Sequence, residues 1–257
     1  MNSKCLVVIG LLGLVGCVQK TTYRGSDQTV VAQDVDHVAA ARERLSLGLA
    51  YLRRGDSEQA KYNFERALKH TPNDSEALLA MGYYFDAVKD VERAEGYYRR
   101  AVNTSPFNAD AANNLGVFLC KQEQYEEADK WLNRAVSSDG YIRLGQTYEN
   151  LGLCAQKAGW TERAADYYQK ALNHDPRRSA SLLQVAELQY QTEKLDDARF
   201  YLERYHNNGN ESAASLWLGA ELEFEANNTD AARRYGVLLL AKYPTSAQAK
   251  EYRTKYY

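Results

Sequence analysis

Cysteines are the residues best equipped for chemistry in this chain, which has four of them: Cys5, Cys17, Cys120 and Cys154. A thiolate can hold a metal, attack an electrophile or close a disulfide. Spacing excludes metal ligation: no two cysteines stand at ligand spacing, and His37, His70, His174 and His206 are scattered. There is no GxSxG turn and no glycine-rich phosphate loop. Acidic pairs such as Glu126-Glu127 read as solvated helix faces. The residues therefore name no catalytic centre, no metal and no cofactor, and the chain reads as a non-enzyme. Its 32 basic and 34 acidic residues leave no basic footprint for nucleic acid. No small-molecule substrate is implied either.

The elements that must position these thiols differ. Cys5 lies in an apolar run from Cys5 to Val15, preceded by Lys4 and followed by small Gly16, as in a signal peptide. The run is shorter than the roughly 20 apolar residues a membrane span needs. It ends in polar Gln19-Lys20-Thr21-Thr22. Leu14-Val15-Gly16-Cys17 resembles the bacterial lipobox. That resemblance implies a cleaved leader at 1–16 and a diacylglycerol group on the Cys17 thiol. It also implies a second acyl chain on the new amino terminus, since one chain anchors only marginally. Val18 stands where an aspartate would retain a lipoprotein in the inner membrane, so the resemblance implies a lipid anchor in the periplasmic face of the outer membrane. Residues 17–40 then form anchor, tether and helix lead-in. The stretch VQKTTYRGSDQTVVAQD has no helical periodicity and suits a flexible tether.

From Ala41 the chain repeats itself every 34 residues. Leu47-Gly48, Tyr51, Gly55, Ala60, Phe64, Ala67 and Pro72 return as Met81-Gly82, Phe85, Lys89, Ala94, Tyr98, Ala101 and Pro106. The set returns again as Leu115-Gly116, Leu119, Glu123, Ala128, Leu132 and Ala135. After two extra residues it reappears as Leu151-Gly152, Ala155, Gly159, Ala164, Tyr168, Ala171 and Pro176. Two fainter copies follow. The pattern resembles the tetratricopeptide repeat. This implies an all-α, right-handed superhelical solenoid of about six helix-turn-helix repeats, at 41–74, 75–108, 109–142, 145–178, 179–212 and 213–246, with a capping helix at 247–257. Glycines and alanines let paired helices approach, Phe64, Tyr98 and Tyr168 fill the gap between repeats, and prolines end the second helices. Terminal repeats degenerate because their outer faces meet water.

In such a solenoid the first helices line the concave face, mainly through repeat positions two, five, nine and twelve. The candidate partner-binding groove is therefore Leu45, Leu49, Leu52, Leu79, Tyr83 and Val117. Leucines on a groove suggest a docked partner segment; alternatively, residues around 35–40 fold back and cover them. Leu183, Glu187, Tyr190, Trp217, Glu221 and Phe224 form a second candidate at the far end. Cys120 and Cys154 fall on first helices of adjacent repeats, where the Cα spacing a disulfide needs is reachable. The other reading is two buried thiols packed as small apolar residues.

A lipobox, a tether and about six repeats resemble the pilotin lipoproteins of type IV pilus biogenesis, the PilF/PilW family. The most specific match is Asn113-Asn114-Leu115-Gly116-Val117-Phe118-Leu119-Cys120 followed by Asn150-Leu151-Gly152-Leu153-Cys154. Family members carry Gly-x-Phe-Leu-Cys, a stretched junction, then Asn-x-Gly-Leu-Cys. The junction here, SSDGYIRLGQ, lacks the proline usual in the family. The resemblance implies an outer-membrane lipoprotein that binds the PilQ-like secretin and promotes its localisation and multimerisation. An adaptor for cell-wall hydrolases or other envelope assembly machinery would keep the fold and change the partner.

Overall fold

The computed structural model describes residues 36–104 and 107–256, together with the two-residue strands β1 (Lys20–Thr21) and β2 (Val30–Val31). The leader, Cys17 and most of the tether lie outside the described residues. The two strands pair antiparallel, Lys20 opposite Val31, in a stretch whose composition had suggested tether alone.

Six helix pairs follow. They are α1 (His37–Arg53) with α2 (Ser57–His70), α3 (Ser75–Ala87) with α4 (Val91–Val102), and α5 (Ala109–Lys121) with α6 (Tyr125–Val136). Next come α7 (Leu144–Lys157) with α8 (Thr161–His174), α9 (Ser179–Gln191) with α10 (Leu195–Asn207), and α11 (Ala213–Glu225) with α12 (Thr229–Lys242). A last helix, α13 (Ala247–Tyr256), packs on α11 and α12.

Local chemistry sets these boundaries. Asp36, Asp56, Asp74, Asp90 and Asn108 each accept a backbone N–H from the first turn of the helix they precede, satisfying donors that have no partner within the helix. The Asp36 cap starts α1 four residues before Ala41. Residues 37–40 thus continue α1 and do not fold back over its outer face. His37 is instead bound to α2, its Nδ1 lying 3.1 Å from Nδ1 of His70. Every turn inside a helix pair uses one left-handed residue at the same repeat position: Gly55, Lys89, Glu123, Gly159, Glu193 and Asn227, with φ from 58° to 81°. Glycine adopts this conformation freely; Lys and Glu adopt it at a cost that the flanking helix packing offsets.

Inside five of the six pairs a glycine on the first helix receives a large side chain from the second, and in the fifth Ala186 takes the glycine's place. A Cβ on Gly48 would lie 2.5 Å from the Phe64 ring, and one on Gly152 would lie 2.6 Å from the Tyr168 ring. The aromatic therefore lies over its own repeat's glycine. Some rings also reach the next repeat, as Tyr98 does against Phe118, with centroids 5.1 Å apart.

First helices of successive repeats pack side by side, from α1 against α3 through to α11 against α13. Among the described residues, second helices stand farther apart and meet through long side chains, such as Arg99, whose guanidinium grips Glu127 at 2.8 and 3.0 Å. Closer spacing on one side curves the stack, so the first helices form the inner wall. The main apolar core runs from Ala41 to Tyr205. A separate cluster of Leu216, Ala220, Leu239, Ala249 and Tyr252 holds α11–α13 together.

Candidate protein-binding groove

Position nine of each first helix forms a row along the inner wall: Leu49, Tyr83, Val117, Leu153, Glu187 and Glu221. Leu49 is 36 % exposed, Tyr83 54 % and Leu153 40 %, while Val117 is half-buried. Exposed apolar side chains at one repeat position over several repeats make an apolar stripe, whereas scattered ones carry no meaning. The stripe then turns acidic at Glu187 and Glu221.

The other sequence candidates divide. Leu52 and Leu79 are partly buried and pack against the core at the edge of the row. Leu45 is a correction: it is 7 % exposed and belongs to the core. It shares the buried stripe of α1 with Ala41 and Gly48, one turn away on either side, so it faces the neighbouring helices and not the groove. Leu153 was missed, although the same repeat register that selected Tyr83 also selects it. Its exposure extends the apolar row through repeat four.

Neighbouring first helices are cross-linked beside this row. Lys121 Nζ bonds Asp86 Oδ2 at 2.8 Å between α5 and α3, and Tyr190 donates to Glu225 Oε1 at 2.7 Å between α9 and α11. Between α5 and α7 the corresponding link is covalent: Cys120 and Cys154 form a disulfide with a Cα–Cα distance of 5.7 Å. The same two helices share a buried polar knot. Asn113 Oδ1 accepts from Thr147 Oγ1 at 3.0 Å and from Asn150 Nδ2 at 2.9 Å. Because the Thr147 hydroxyl proton goes to Asn113, the 2.8 Å contact between Tyr141 and Thr147 has the Tyr141 hydroxyl as donor. Tyr141 and Arg143 come from the stretched junction, and Arg143 also reaches Asp110 at 3.0 Å. The junction lengthens the connection between α6 and α7, and its side chains tie α7 to α5. Burial pushes the Tyr141 phenol up, keeping it a hydrogen-bond donor.

At the far end Trp217, Phe224 and Tyr256 form an aromatic cluster, Phe224 stacking on Tyr256 with centroids 3.9 Å apart. Lys255 of α13 bonds Glu221 Oε2 at 2.5 Å. Burial, with the Glu221 carboxylate beside it, pushes the Tyr256 phenol up to about 12. Among the described residues no group of His, Cys, Asp and Glu is arranged to hold a metal ion, and no helix is long and apolar enough to cross a membrane. What the wall offers is a ribbed surface, apolar over four repeats and acidic over two, held by ionic, hydrogen-bonded and covalent ties.

Comparison with known proteins gives this surface a context. Residues 45–109 and 107–177 each match a tetratricopeptide repeat family. The type IV pilus assembly protein PilF of Pseudomonas aeruginosa is 32 % identical over 250 residues, 97 % of each chain. The chain belongs to the PilF family of type IV pilus assembly proteins. The solved structure of Pseudomonas aeruginosa PilF superposes with a TM-score of 0.78 at 31 % identity, covering 86 % of this chain and 99 % of that one. The structure of PilW, described as a widely conserved type IV pilus biogenesis factor, gives a TM-score of 0.72 at 26 % identity over 82 % of this chain and 97 % of that one. Near-complete coverage of both relatives means that this PilF-family chain shares their whole repeat array and not one motif within it.

Proposed function

We propose that this chain is an outer-membrane lipoprotein, anchored through Cys17, that acts as the pilotin of a type IV pilus: it binds the PilQ-like secretin and promotes its outer-membrane localisation and multimerisation. The observation that carries the reading is the apolar row Leu49, Tyr83, Val117 and Leu153 on the inner wall of a chain in the PilF family. An extended secretin segment seated there would cover side chains that otherwise face water. The lipid would bring that segment to the membrane, and holding several subunits at one surface would raise their effective concentration. The work is binding; no bond is made or broken. Oxidation of Cys120 and Cys154 in the periplasm suits this role, because a covalent tie between α5 and α7 fixes the spacing of Val117 and Leu153.

The experiment is deletion of the gene, with complementation by wild type or by a Tyr83→Asp, Leu153→Asp double variant. Loss of heat-resistant secretin multimers from the outer membrane on deletion, and failure of the double variant to restore them despite normal protein levels, is the expected result. Intact multimers in the deletion strain would refute the pilotin reading.

A further inference from the structure

The half-buried carboxylates of the last repeats have cationic partners, with one exception. Glu149 receives Arg178 at 2.7 Å and the Ser181 hydroxyl at 2.7 Å. Glu223 receives Arg199 at 2.8 Å and Asn228 at 2.9 Å. Glu221 receives Lys255 and Tyr256. Glu187, on the position-nine row, receives only the Gln184 amide at 2.9 Å. The Gln184 Oε1 atom is itself buried with no partner. Gln184 Oε1 thus has no donor, and Glu187 has a neutral amide where the other carboxylates have a cation.

Glu187 lines a cavity of about 300 Å³ together with Tyr190, Trp217, Glu221, Gln248 and Glu251. No lysine or arginine lines it, and Glu251 makes no ion pair. Its walls combine carboxylates with an indole and a phenol, the pairing that recognises a desolvated cation. The molecule already shows that chemistry beside the cavity. The Lys255 ammonium that bonds Glu221 also lies 5.8 Å from the Trp217 ring centroid and 5.3 Å from that of Tyr256.

We infer that this cavity takes a lysine or arginine side chain from the protein segment that occupies the groove, so that the segment is apolar where it crosses repeats one to four and basic where it crosses repeats five and six. The inference rests on the groove reading above and adds the chemistry of its far end. The position-nine row sets the pattern: three aliphatic residues and a tyrosine, then two glutamates, on one continuous wall. Burial pushes the Glu187 carboxyl up, as happens to an acid whose charge no cation offsets. A guanidinium or ammonium entering the cavity would supply donors to Glu187 and Glu251, which both line it.

The test uses the full-length chain in detergent and fluorescently labelled extended peptides with alternate leucines at one end and two lysines at the other, made in both chain directions. Twins carry glutamine in place of lysine. The lysine peptide in one direction should bind roughly tenfold more tightly than its twin, a preference that weakens with salt. Glu187→Gln should abolish the preference, and so should Glu251→Gln, which alters an exposed residue and leaves the core untouched. Lys255→Met, which frees Glu221, should enlarge it. Equal binding of lysine peptide and twin in both directions overturns the inference, as does no binding by either. Leucine-dependent binding that Tyr83→Asp abolishes would leave the groove reading standing even then. Conversely, a lysine preference that survives Tyr83→Asp unchanged would keep the cation site and refute the apolar groove.

Discussion

Gly96 and Gly152 are both helical glycines, and their surroundings give opposite consequences to the same substitution. A Cβ on Gly96 meets nothing within 4 Å, whereas one on Gly152 would lie 2.6 Å from the ring of Tyr168. That ring is fully buried, and its hydroxyl donates to Gln156 at 2.8 Å, so it cannot swing aside cheaply. Gly96→Ala should raise stability by about 0.5–1 kcal/mol, through lower entropy of the unfolded chain. Gly152→Ala should lower it by about 1–3 kcal/mol through overpacking. Urea midpoints at constant slope measure both, and equal shifts would refute the close-approach role of Gly152. Glu187 gives a pH-dependent prediction at the same scale. Burial raises its folded pKa above the unfolded value, so the folded state binds the proton more tightly. Below the unfolded pKa both states are protonated and nothing is lost. As pH rises through the folded pKa, the ionised carboxylate destabilises the fold. Glu187→Gln should therefore be more stable than wild type at pH 7 and indistinguishable from it at about pH 3.5, below the ordinary glutamate range. A difference independent of pH would mean the effect comes from packing and not from charge.

The helix pair is the element that the sequence displays most clearly, because its glycine, its facing aromatic or leucine and its alanines recur at a fixed interval. Gly116 facing Leu132 and Gly48 facing Phe64 are the same contact in different residues. Surface assignment within the first helix was harder to read. Position five is buried at Leu45 and Asn113 but half-exposed at Leu79, because its cover depends on the neighbouring repeat as well as on the helix's own face. Leu153 was legible by register alone. The Glu187 cavity was legible only as a set of residue names, since the missing cation is a property of packing. The disulfide spans the element scale, joining α5 to α7 across 34 residues of sequence. Closing a loop of that size should stabilise the fold by about 2–4 kcal/mol. A Cys120→Ala, Cys154→Ala double variant should lose about that much, and reduction of the wild type should reproduce the loss. Thiol titration of the purified, unreduced chain after unfolding supplies the independent check: two reactive thiols at these positions would refute oxidation.

Repeat arrays distribute stability by neighbour contact, so a weak junction divides the whole molecule into parts that open separately. The weak junction here lies between repeats five and six. The main core ends near Tyr205, and α11–α13 keep their own cluster around Leu216, Leu239 and Tyr252. What bridges the two is a small apolar cluster of Ala186, Leu202 and Leu218 with a few polar contacts: Arg199 to Glu223 at 2.8 Å, His206 with Ser215 at 3.1 Å, and the Tyr243 hydroxyl to the Glu211 carbonyl at 3.3 Å. Repeats three and four, by contrast, share the disulfide, the Asn113 knot and a continuous apolar core. Native-state hydrogen exchange should therefore show α11–α13 opening as one unit, at lower free energy than α3–α8, and with little sensitivity to reduction. Protection in α5 and α7 should fall when the disulfide is reduced. Uniform protection along the solenoid, or loss of α11–α13 together with the middle repeats, would show that the junction carries more than its small apolar cluster and polar bridges supply. The same boundary runs beside the Glu187 cavity, whose walls come from α9 on one side and from α11 and α13 on the other. A basic side chain bound there would bridge the two cooperative units, and the lysine peptide should slow exchange in α11–α13 more than its glutamine twin does.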